Sequence, residues 1–383
     1  MRIALALLAL SVVVPAGQPP PPGGWQDVTA FFRAGVEQHG IQGASLAWIE
    51  DGRMAALETI GLADRTGRAP VTPDTIYHWA SITKTFTAVA IMQLRDRGLL
   101  SLDDPAVDYV PELAYAHNPH GRMRDITIRH LLSHSAGFRG GTWPWGGDQP
   151  WHPFEPPGWE QVAAMMPYTQ ILFPPGTRYS YSNPGVIFLG RIIERLSGEP
   201  YETYIDKQIL RPLGMRDAFF DRAPASARDA RSHSYYVDQA GNFAEAPFDF
   251  DTGITVSNGG LNAPVGDMAK WIAFLAGTPA NDTVLTRRSL EEMFQPVVPV
   301  VADGMGEQNV GVGSMGLGFF LETHQGVDLI AHSGGQNGFI SHFFLHPASR
   351  TAYLVAFNTQ SPTTRAFDAA LRDEVVRKIW SAR

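Results

Sequence analysis

Cysteine is absent from this 383-residue sequence. Disulfide bonds, thiol nucleophiles, cysteine-ligated zinc and iron–sulfur clusters are therefore excluded. Basic residues are outnumbered, with 30 lysines and arginines against 38 aspartates and glutamates, and the formal net charge is −8. Because no basic stripe interrupts this acidic balance, we do not expect nucleic acid as a partner. A chain of this length can bury a large core without disulfides or metals, and its length predicts two to three domains.

Long apolar runs are lacking except at the N-terminus. There Arg2 precedes an apolar run over residues 3–14, and small residues up to Ala16 suit cleavage by signal peptidase. The run is shorter than the roughly 18 apolar residues of a membrane helix, so we expect a signal peptide at 1–16 and a Pro/Gly linker at 17–24. An uncleaved anchor is the alternative. The mature chain is expected to have no integral membrane segment and to be periplasmic or secreted.

The order of helix and strand signals predicts the fold class. The predicted elements are helices at 27–39, 81–97, 183–196, 201–210 and 366–380, and strands at 44–49, 54–60, 319–324, 328–332, 338–345 and 352–358. This order favours an α/β (α+β) fold, with an antiparallel sheet flanked by helices and built from both chain ends. We expect a sheet domain at 25–80 and 232–383, an inserted and mostly helical domain at 81–231, and an active site between the two.

The strongest chemical signal is an S-x-x-K sequence formed by Ser81 and Lys84. Serine is a poor nucleophile at neutral pH and needs a base. Residues three apart on a helix share a face, so the two side chains can meet. A lysine that is desolvated there would have a lowered pKa and could accept a proton. The alternative is a helix-capping serine followed by a surface lysine, but apolar Trp79 and Ala80 place the pair at a partly buried helix start.

A second group of polar residues lies at 179–183, with the sequence Tyr-Ser-Tyr-Ser-Asn. Tyr181 beside a cationic lysine could lose its proton more easily and act as a general base. Asn183 could donate to a substrate carbonyl and accept from the lysine. The alternative is a tyrosine-rich turn that caps the helix beginning near Pro184.

A third motif, His332-Ser333-Gly334-Gly335, lies near the end of a predicted strand. A strand edge beside a serine can supply one backbone N–H to an oxyanion hole, and glycine allows close approach. The alternative is a glycine-rich hairpin between two strands.

Together, in this order and spacing, the three motifs resemble the serine β-lactamase and penicillin-binding-protein superfamily, in its class C β-lactamase-like branch. The resemblance extends over about residues 28–377. It is supported by the stretches 102–105, 126–137, 175–176 and 259–261. It implies a β-lactamase/transpeptidase-like fold and a two-step acyl transfer without cofactor or metal.

The resemblance also implies roles for the residues of the motifs. Ser81 would be the acylated nucleophile, and Lys84 and Tyr181 would share the acid–base work. The backbone N–H groups of Ser81 and Gly335 would form the oxyanion hole. Both Lys84 and Tyr181 stay open as the main base.

Substrate binding would involve Asn183, His332, Ser333 and Gly335, with Asn183 orienting both the substrate and Lys84. His332 replaces the lysine that is common in true β-lactamases. An unperturbed histidine is mostly neutral at pH 7 and offers no permanent cation to a β-lactam carboxylate.

Similar H-x-G triplets occur in D-alanyl-D-alanine peptidases, D-aminopeptidases and esterases of the superfamily. The resemblance therefore implies a small-molecule ester, amide or peptide as substrate, and a secreted serine hydrolase of the esterase or D-amino-acid peptidase/amidase type. A β-lactamase is the alternative within the enzymes. A non-catalytic binding protein on a penicillin-binding fold is the alternative of another class, and the intact motifs argue against it.

Two further patterns resemble known sites incompletely. His130 and His134 have the spacing of zinc ligands but lack the glutamate of H-E-x-x-H, so we interpret them as packed or hydrogen-bonded in a Leu-rich helix. Ser135 lies in a sequence that matches only part of the G-x-S-x-G motif of α/β-hydrolases, because the first glycine and the preceding strand are missing. We therefore do not expect an α/β-hydrolase.

A tryptophan-rich segment at 138–173 lies between the Ser81 and Tyr181 motifs. It contains Trp143, Trp145, Trp151 and Trp159 among many glycines and prolines. Such indoles could form one wall of the substrate cleft for a large apolar group. A surface loop that folds over its own aromatic residues is the alternative.

Overall fold

The computed structural model describes residues 21–140, 158–277, 283–301 and 313–381. The predicted signal peptide and three of the four tryptophans of the 138–173 segment lie outside these ranges. None of the described helices is both long and apolar enough to cross a membrane.

The helices and strands follow one another in the predicted order. The helices are α1 (Trp25–Gln38), α2 (Thr83–Asp96), α3 (Ala106–Tyr109), α4 (Ile128–Leu132), α5 (Trp159–Ala164), α6 (Asn183–Ser197), α7 (Tyr201–Ile205), α8 (Val256–Gly259), α9 (Val265–Leu275), α10 (Arg287–Met293) and α11 (Pro362–Val375). The strands are β1 (Gly43–Glu50), β2 (Arg53–Asp64), β3 (Ala69–Pro70), β4 (Ile76–His78), β5 (Phe219–Phe220), β6 (Tyr235–Val237), β7 (Phe243–Glu245), β8 (Leu261–Pro264), β9 (Val298–Val300), β10 (Gly313–Met315), β11 (Phe320–His324), β12 (Val327–Gln336), β13 (Phe339–His346), β14 (Thr351–Phe357) and β15 (Thr359–Gln360).

One large sheet joins the two ends of the chain. Its strand order is β3-β2-β1-β14-β13-β12-β11-β10-β9. The N-terminal hairpin of β1 and β2 pairs with the C-terminal strands through β1 and β14, antiparallel, with Ala44 opposite Phe357. The predicted antiparallel sheet built from both chain ends is therefore confirmed, whereas the domain boundaries stay predictions.

Two apolar cores lie on opposite faces of this sheet, because side chains alternate along each strand. On one face α1 and α11 pack through Phe32 and Phe367, whose ring centroids are 6.4 Å apart. On the other face Phe86 of α2 stacks on Trp271 of α9 at 3.7 Å. The second core extends into the helices between β4 and β8 in sequence, which anchors α2 against the sheet.

A small sheet fixes the segment that leads into α2. β4 and β5 both pair with β8. Directly after β4, the backbone N–H of Trp79 donates to Leu261 at 2.8 Å, and its indole N–H donates to Ala263 at 2.8 Å. The residues before Ser81 are thus held by backbone and side-chain bonds to a strand that is about 180 residues away in sequence.

Asp221, next to this small sheet, makes stability depend on pH. Its Oδ1 accepts hydrogen bonds from the N–H and hydroxyl of Thr252, yet burial raises the pKa of its carboxyl to about 7. In the unfolded chain the carboxyl ionises near 3.8, so its ionisation increasingly opposes folding as the pH rises from about 4 to 7. We expect Asp221→Asn, which keeps the acceptor oxygen, to raise the free energy of unfolding at pH 8 by roughly 2 kcal/mol and at pH 4 by little.

Thermal or urea unfolding at several pH values checks this prediction. Asp249→Asn is the matched control, because Arg228 lowers the pKa of Asp249 and its neutralisation should bring no gain as the pH rises. A gain for Asp221→Asn that does not change with pH would contradict the assignment.

Candidate active site

Ser81 lies in a 3₁₀ turn, Ala80–Ile82, and α2 begins only at Thr83. The expected helix start at residue 81 is therefore wrong by two residues. The physical reason is the backbone of Ala80, which has a left-handed φ of 46° and makes the chain turn sharply before the helix. The hydroxyl of Thr83 donates to the carbonyl of Ala80 at 2.6 Å and accepts from the N–H of Leu261 at 3.1 Å, which holds the turn in place.

Lys84, in the first turn of α2, points at Ser81. Its Nζ donates to Ser81 Oγ at 3.0 Å and to the backbone carbonyl of Asn258 at 2.8 Å. The side chain is buried, and burial lowers the pKa of Lys84 well below its ordinary value. Lys84 has no carboxylate partner among the described residues, and burial penalises its charged form. The neutral amine is therefore favoured, and it can accept a proton from the serine.

Asn258, and not Asn183 as expected, supplies the asparagine oxygen that accepts a hydrogen bond from Lys84. Within the described residues the Oδ1 of Asn183 is buried and accepts no hydrogen bond, so the expected bond from Lys84 to Asn183 is not formed. Asn183 remains beside the motif at the start of α6, and its N–H donates to Gly140 at 3.2 Å. The role of Asn183 in substrate binding stays a prediction.

Tyr181 lies in the loop before α6 and faces Lys84. The Nζ of Lys84 is 5.0 Å from the centroid of the tyrosine ring. The centroid of the His332 ring is 6.5 Å from the centroid of the tyrosine ring, and the two planes are tilted by 53°. The structure thus brings Ser81, Lys84, Tyr181 and His332 together from a turn, a helix, a loop and a strand.

His332 is a neutral hydrogen-bond acceptor in this arrangement. Its Nδ1 lies 2.8 Å from the carbonyl oxygen of Ser333, so Nδ1 carries the proton and Nε2 offers a lone pair. The side chain is 1% exposed, and Nε2 has no partner among the described residues. Burial, together with the nearby Lys84, lowers the pKa of His332 to about 3. The cation that a lysine would supply here is therefore missing throughout the neutral pH range.

The glycines after His332 bring β12 close to the nucleophile. The sequence placed this motif near a strand end, but β12 continues through it to Gln336. β11 pairs with β12 only as far as Ala331, and beyond that point a Cβ on Gly334 would overlap the carbonyl of Trp79. Glycine is therefore required for the strand to lie against the Ser81 turn, and Gly335 is exposed there as an oxyanion donor would need to be.

Arg365 is a neighbour of this strand that the sequence reading missed. A Cβ on Gly335 would lie 2.9 Å from Arg365 Nη2. Arg365 is largely buried on α11, which lowers the pKa of its guanidinium, and it forms no ion pair within 4 Å in the described part of the chain. No local motif marks it, because α11 reaches the site only through the packing of the sheet.

His130, His134 and the described tryptophan Trp159 have structural contacts. His130 Nδ1 accepts from the N–H of Thr127 at 3.2 Å as part of a helix cap, and His134 lies beyond the end of α4 rather than within a helix. No group of three or more potential metal ligands occurs in the described ranges. Trp159, the described tryptophan of the 138–173 segment, donates to Glu112 at 2.9 Å and belongs to the helical core.

Comparison with known proteins gives a consistent result. A family model described as Beta-lactamase matches residues 28–377. The chain is 25% identical over 369 residues to unguisins hydrolase ungD' of Aspergillus campestris, which covers 92% of this chain and 65% of that protein. It is 29% identical over 198 residues to esterase EstB of Burkholderia gladioli, half of each protein. It is 25% identical over 312 residues to the D-alanyl-D-alanine-carboxypeptidase/endopeptidase AmpH of Escherichia coli K12, with 76% of this chain and 73% of that protein covered.

Solved structures show the same architecture. An octameric penicillin-binding protein homologue from Pyrococcus abyssi superposes with a TM-score of 0.77 at 28% identity, over 93% of this chain and 79% of that one. A class C β-lactamase superposes with a TM-score of 0.74 at 18% identity, over 92% and 96% of the two chains, and that likeness concerns the fold. With the family match extending over nearly the whole described structure, the chain belongs to the β-lactamase family.

Proposed function

We propose that the protein is a serine hydrolase that forms an acyl-enzyme on Ser81 and acts on esters or on D-amino-acid peptides and amides. The observation that carries the proposal is the 3.0 Å bond between Lys84 Nζ and Ser81 Oγ, made by a lysine whose pKa burial lowers. A nucleophile within hydrogen-bond reach of a desolvated base is the arrangement that covalent catalysis requires.

The reaction would proceed in two steps, acylation of Ser81 and hydrolysis of the acyl-enzyme. Lys84 accepts the hydroxyl proton as Ser81 Oγ attacks the substrate carbonyl, and the N–H groups of Ser81 and Gly335 stabilise the oxyanion. Collapse of this intermediate breaks the bond to the leaving group, which takes a proton through Tyr181 or Lys84. Water then attacks the acyl-enzyme and gives a proton to the same base. The base returns this proton to Ser81 Oγ as the bond to the acyl group breaks, which releases the acid and restores the serine.

His332 favours an ester, which needs no carboxylate-binding cation, over a β-lactam. Its neutral imidazole offers an acceptor where a β-lactam carboxylate would need a cation. Esters and D-peptides are also the substrate classes named for the similar proteins esterase EstB and D-alanyl-D-alanine-carboxypeptidase/endopeptidase AmpH. A β-lactamase remains the alternative that the substrate assay must separate.

The assay compares kcat/KM for p-nitrophenyl acetate, a D-Ala-D-Ala peptide and nitrocefin, each with the wild-type protein. We expect the ester to exceed nitrocefin by at least about tenfold, since nitrocefin carries a carboxylate and residue 332 offers it no cation. Highest turnover of nitrocefin would identify a β-lactamase instead. No turnover of any of the three would favour a binding protein on this fold.

Arg365 supports peptides that end in a free carboxylate as candidate substrates. Its guanidinium lies beside Gly335 without an ion pair among the described residues, and a carboxylate could bind it through two parallel bonds. We expect Arg365→Met to raise KM about 10- to 100-fold for a D-Ala-D-Ala peptide with a free C-terminus. Steady-state kinetics with the same peptide amidated at its C-terminus is the control, and an equal loss for both peptides would contradict a carboxylate contact.

A further inference from the structure

His134 holds the loop that carries Tyr181 at two points. Its backbone carbonyl accepts the N–H of Ser180 at 2.8 Å, and its side-chain Nδ1 accepts the N–H of Ser182 at 3.1 Å. The two bonds bracket Tyr181 in sequence. The imidazole ring also packs on the phenol ring, with centroids 4.5 Å apart and planes tilted by 33°. The loop is fixed on its other side by Ser182, whose hydroxyl accepts from Gly185 and caps α6.

The chemistry of His134 suits a fixed support. Because Ser182 donates to Nδ1, the proton of the neutral ring lies on Nε2. Burial, with Lys84 and His332 nearby, lowers the pKa of His134 well below its ordinary value. The ring therefore stays neutral at the pH at which Tyr181 is expected to transfer protons, and its Nδ1 continues to accept the N–H of Ser182.

The backbone of His134 also restricts which residues can take its place. Its φ is 53°, in the left-handed region, which asparagine and glycine tolerate better than other residues. Asparagine also carries an oxygen on its γ carbon that can accept the N–H of Ser182. The position therefore offers one substitution that keeps the acceptor, His134→Asn, and one that removes it, His134→Gly, without either straining the turn.

From these contacts we propose that His134 is a positioning residue, which fixes the phenol of Tyr181 beside Lys84 for proton transfer. The inference rests on the proposed hydrolase function. His134, one of two histidines with the spacing of zinc ligands, would thus act by orienting the side chain of Tyr181.

Kinetics of p-nitrophenyl acetate hydrolysis test the proposal. We expect His134→Gly to lower kcat about 10- to 100-fold with KM changed less than about threefold, the scale of a misplaced acid–base group. His134→Asn should retain kcat within about fivefold of wild type, because it keeps the bond to Ser182. His130→Asn is the matched control: it is the other histidine of the pair, bonds Thr127 rather than the Tyr181 loop, and should leave kcat unchanged.

A double-mutant cycle with Tyr181→Phe separates positioning from a general loss of structure. If His134 acts through Tyr181, His134→Gly should cost less than about threefold in the Tyr181→Phe background. An equal, additive loss in both backgrounds would overturn the proposal, as would a His134→Gly variant with wild-type kcat. If His134→Gly does not fold, as judged by circular dichroism, His134→Ala takes its place in the cycle with the same two readings, because alanine also lacks the acceptor and has the smallest side chain that restricts the backbone. An inactive wild type would instead overturn the proposed function and this inference with it.

Discussion

Replacing Ser81 with alanine should abolish turnover of every ester and amide substrate while leaving the fold intact. Ser81 Oγ is the atom that Lys84 contacts at 3.0 Å, and no other hydroxyl is bonded to that lysine among the described residues. Lys84 would keep its bond to the carbonyl of Asn258, so little stability should be lost. We expect a fall of about 10⁵-fold or more in kcat/KM, the scale seen when a nucleophile is removed.

Ser135→Ala is the matched control for this prediction, because Ser135 lies in the other serine motif of the sequence. Its hydroxyl shares a 2.8 Å bond with Ser133 rather than with a base. Activity should therefore survive in Ser135→Ala. Loss of activity in Ser135→Ala together with retention in Ser81→Ala would show that the nucleophile had been misassigned.

Tyr181→Phe should lower kcat by roughly two to four orders of magnitude, the usual loss when an acid–base group is removed. The change deletes the phenol oxygen but keeps the ring that packs on His134 and faces Lys84. Because those packing contacts survive, the variant should remain folded, and the fall should be in kcat more than in KM. Steady-state kinetics and thermal unfolding measure the two effects.

Tyr179→Phe is the control from the same motif. Its buried ring lies edge-on to His134, at 6.1 Å, and to Phe320 of β11, at 6.2 Å between centroids. It should retain most of the activity. A loss in Tyr179→Phe as large as that in Tyr181→Phe would contradict a specific role for the Tyr181 phenol.

The elements that depend on local periodicity were predictable from the sequence. The helix expected at 183–196 is observed at Asn183–Ser197, and the four C-terminal strands are found within a few residues of their expected positions. β12 is expected to end at residue 332 but continues to Gln336, a difference of four residues that is equalled at the end of β2 and at the start of α11. The true turn is marked by Asn337-Gly338, with φ values of 47° and 78°, the two-residue hairpin signal that also explains the length of the strand.

The site was predictable where its residues are close in sequence. Ser81 and Lys84 meet because three residues are nearly one helical turn, and α2 supplies that geometry. The left-handed backbone of Ala80 could not be predicted, since it depends on the bonds that hold Trp79 to β8. The contacts of Asn258 with Lys84 and of Arg365 with Gly335 also join residues that are far apart in sequence, so no local pattern predicts them. The sequence motif therefore points to Asn183 as the partner of Lys84.

The most direct test of the account is intact-protein mass spectrometry after rapid acid quenching with a p-nitrophenyl ester, followed by peptide mapping of the labelled protein. The account predicts one acyl group per chain, located on the peptide that contains Ser81 and absent from Ser81→Ala. An acyl group mapped to another residue, or found equally on the Ser81→Ala variant, would contradict it.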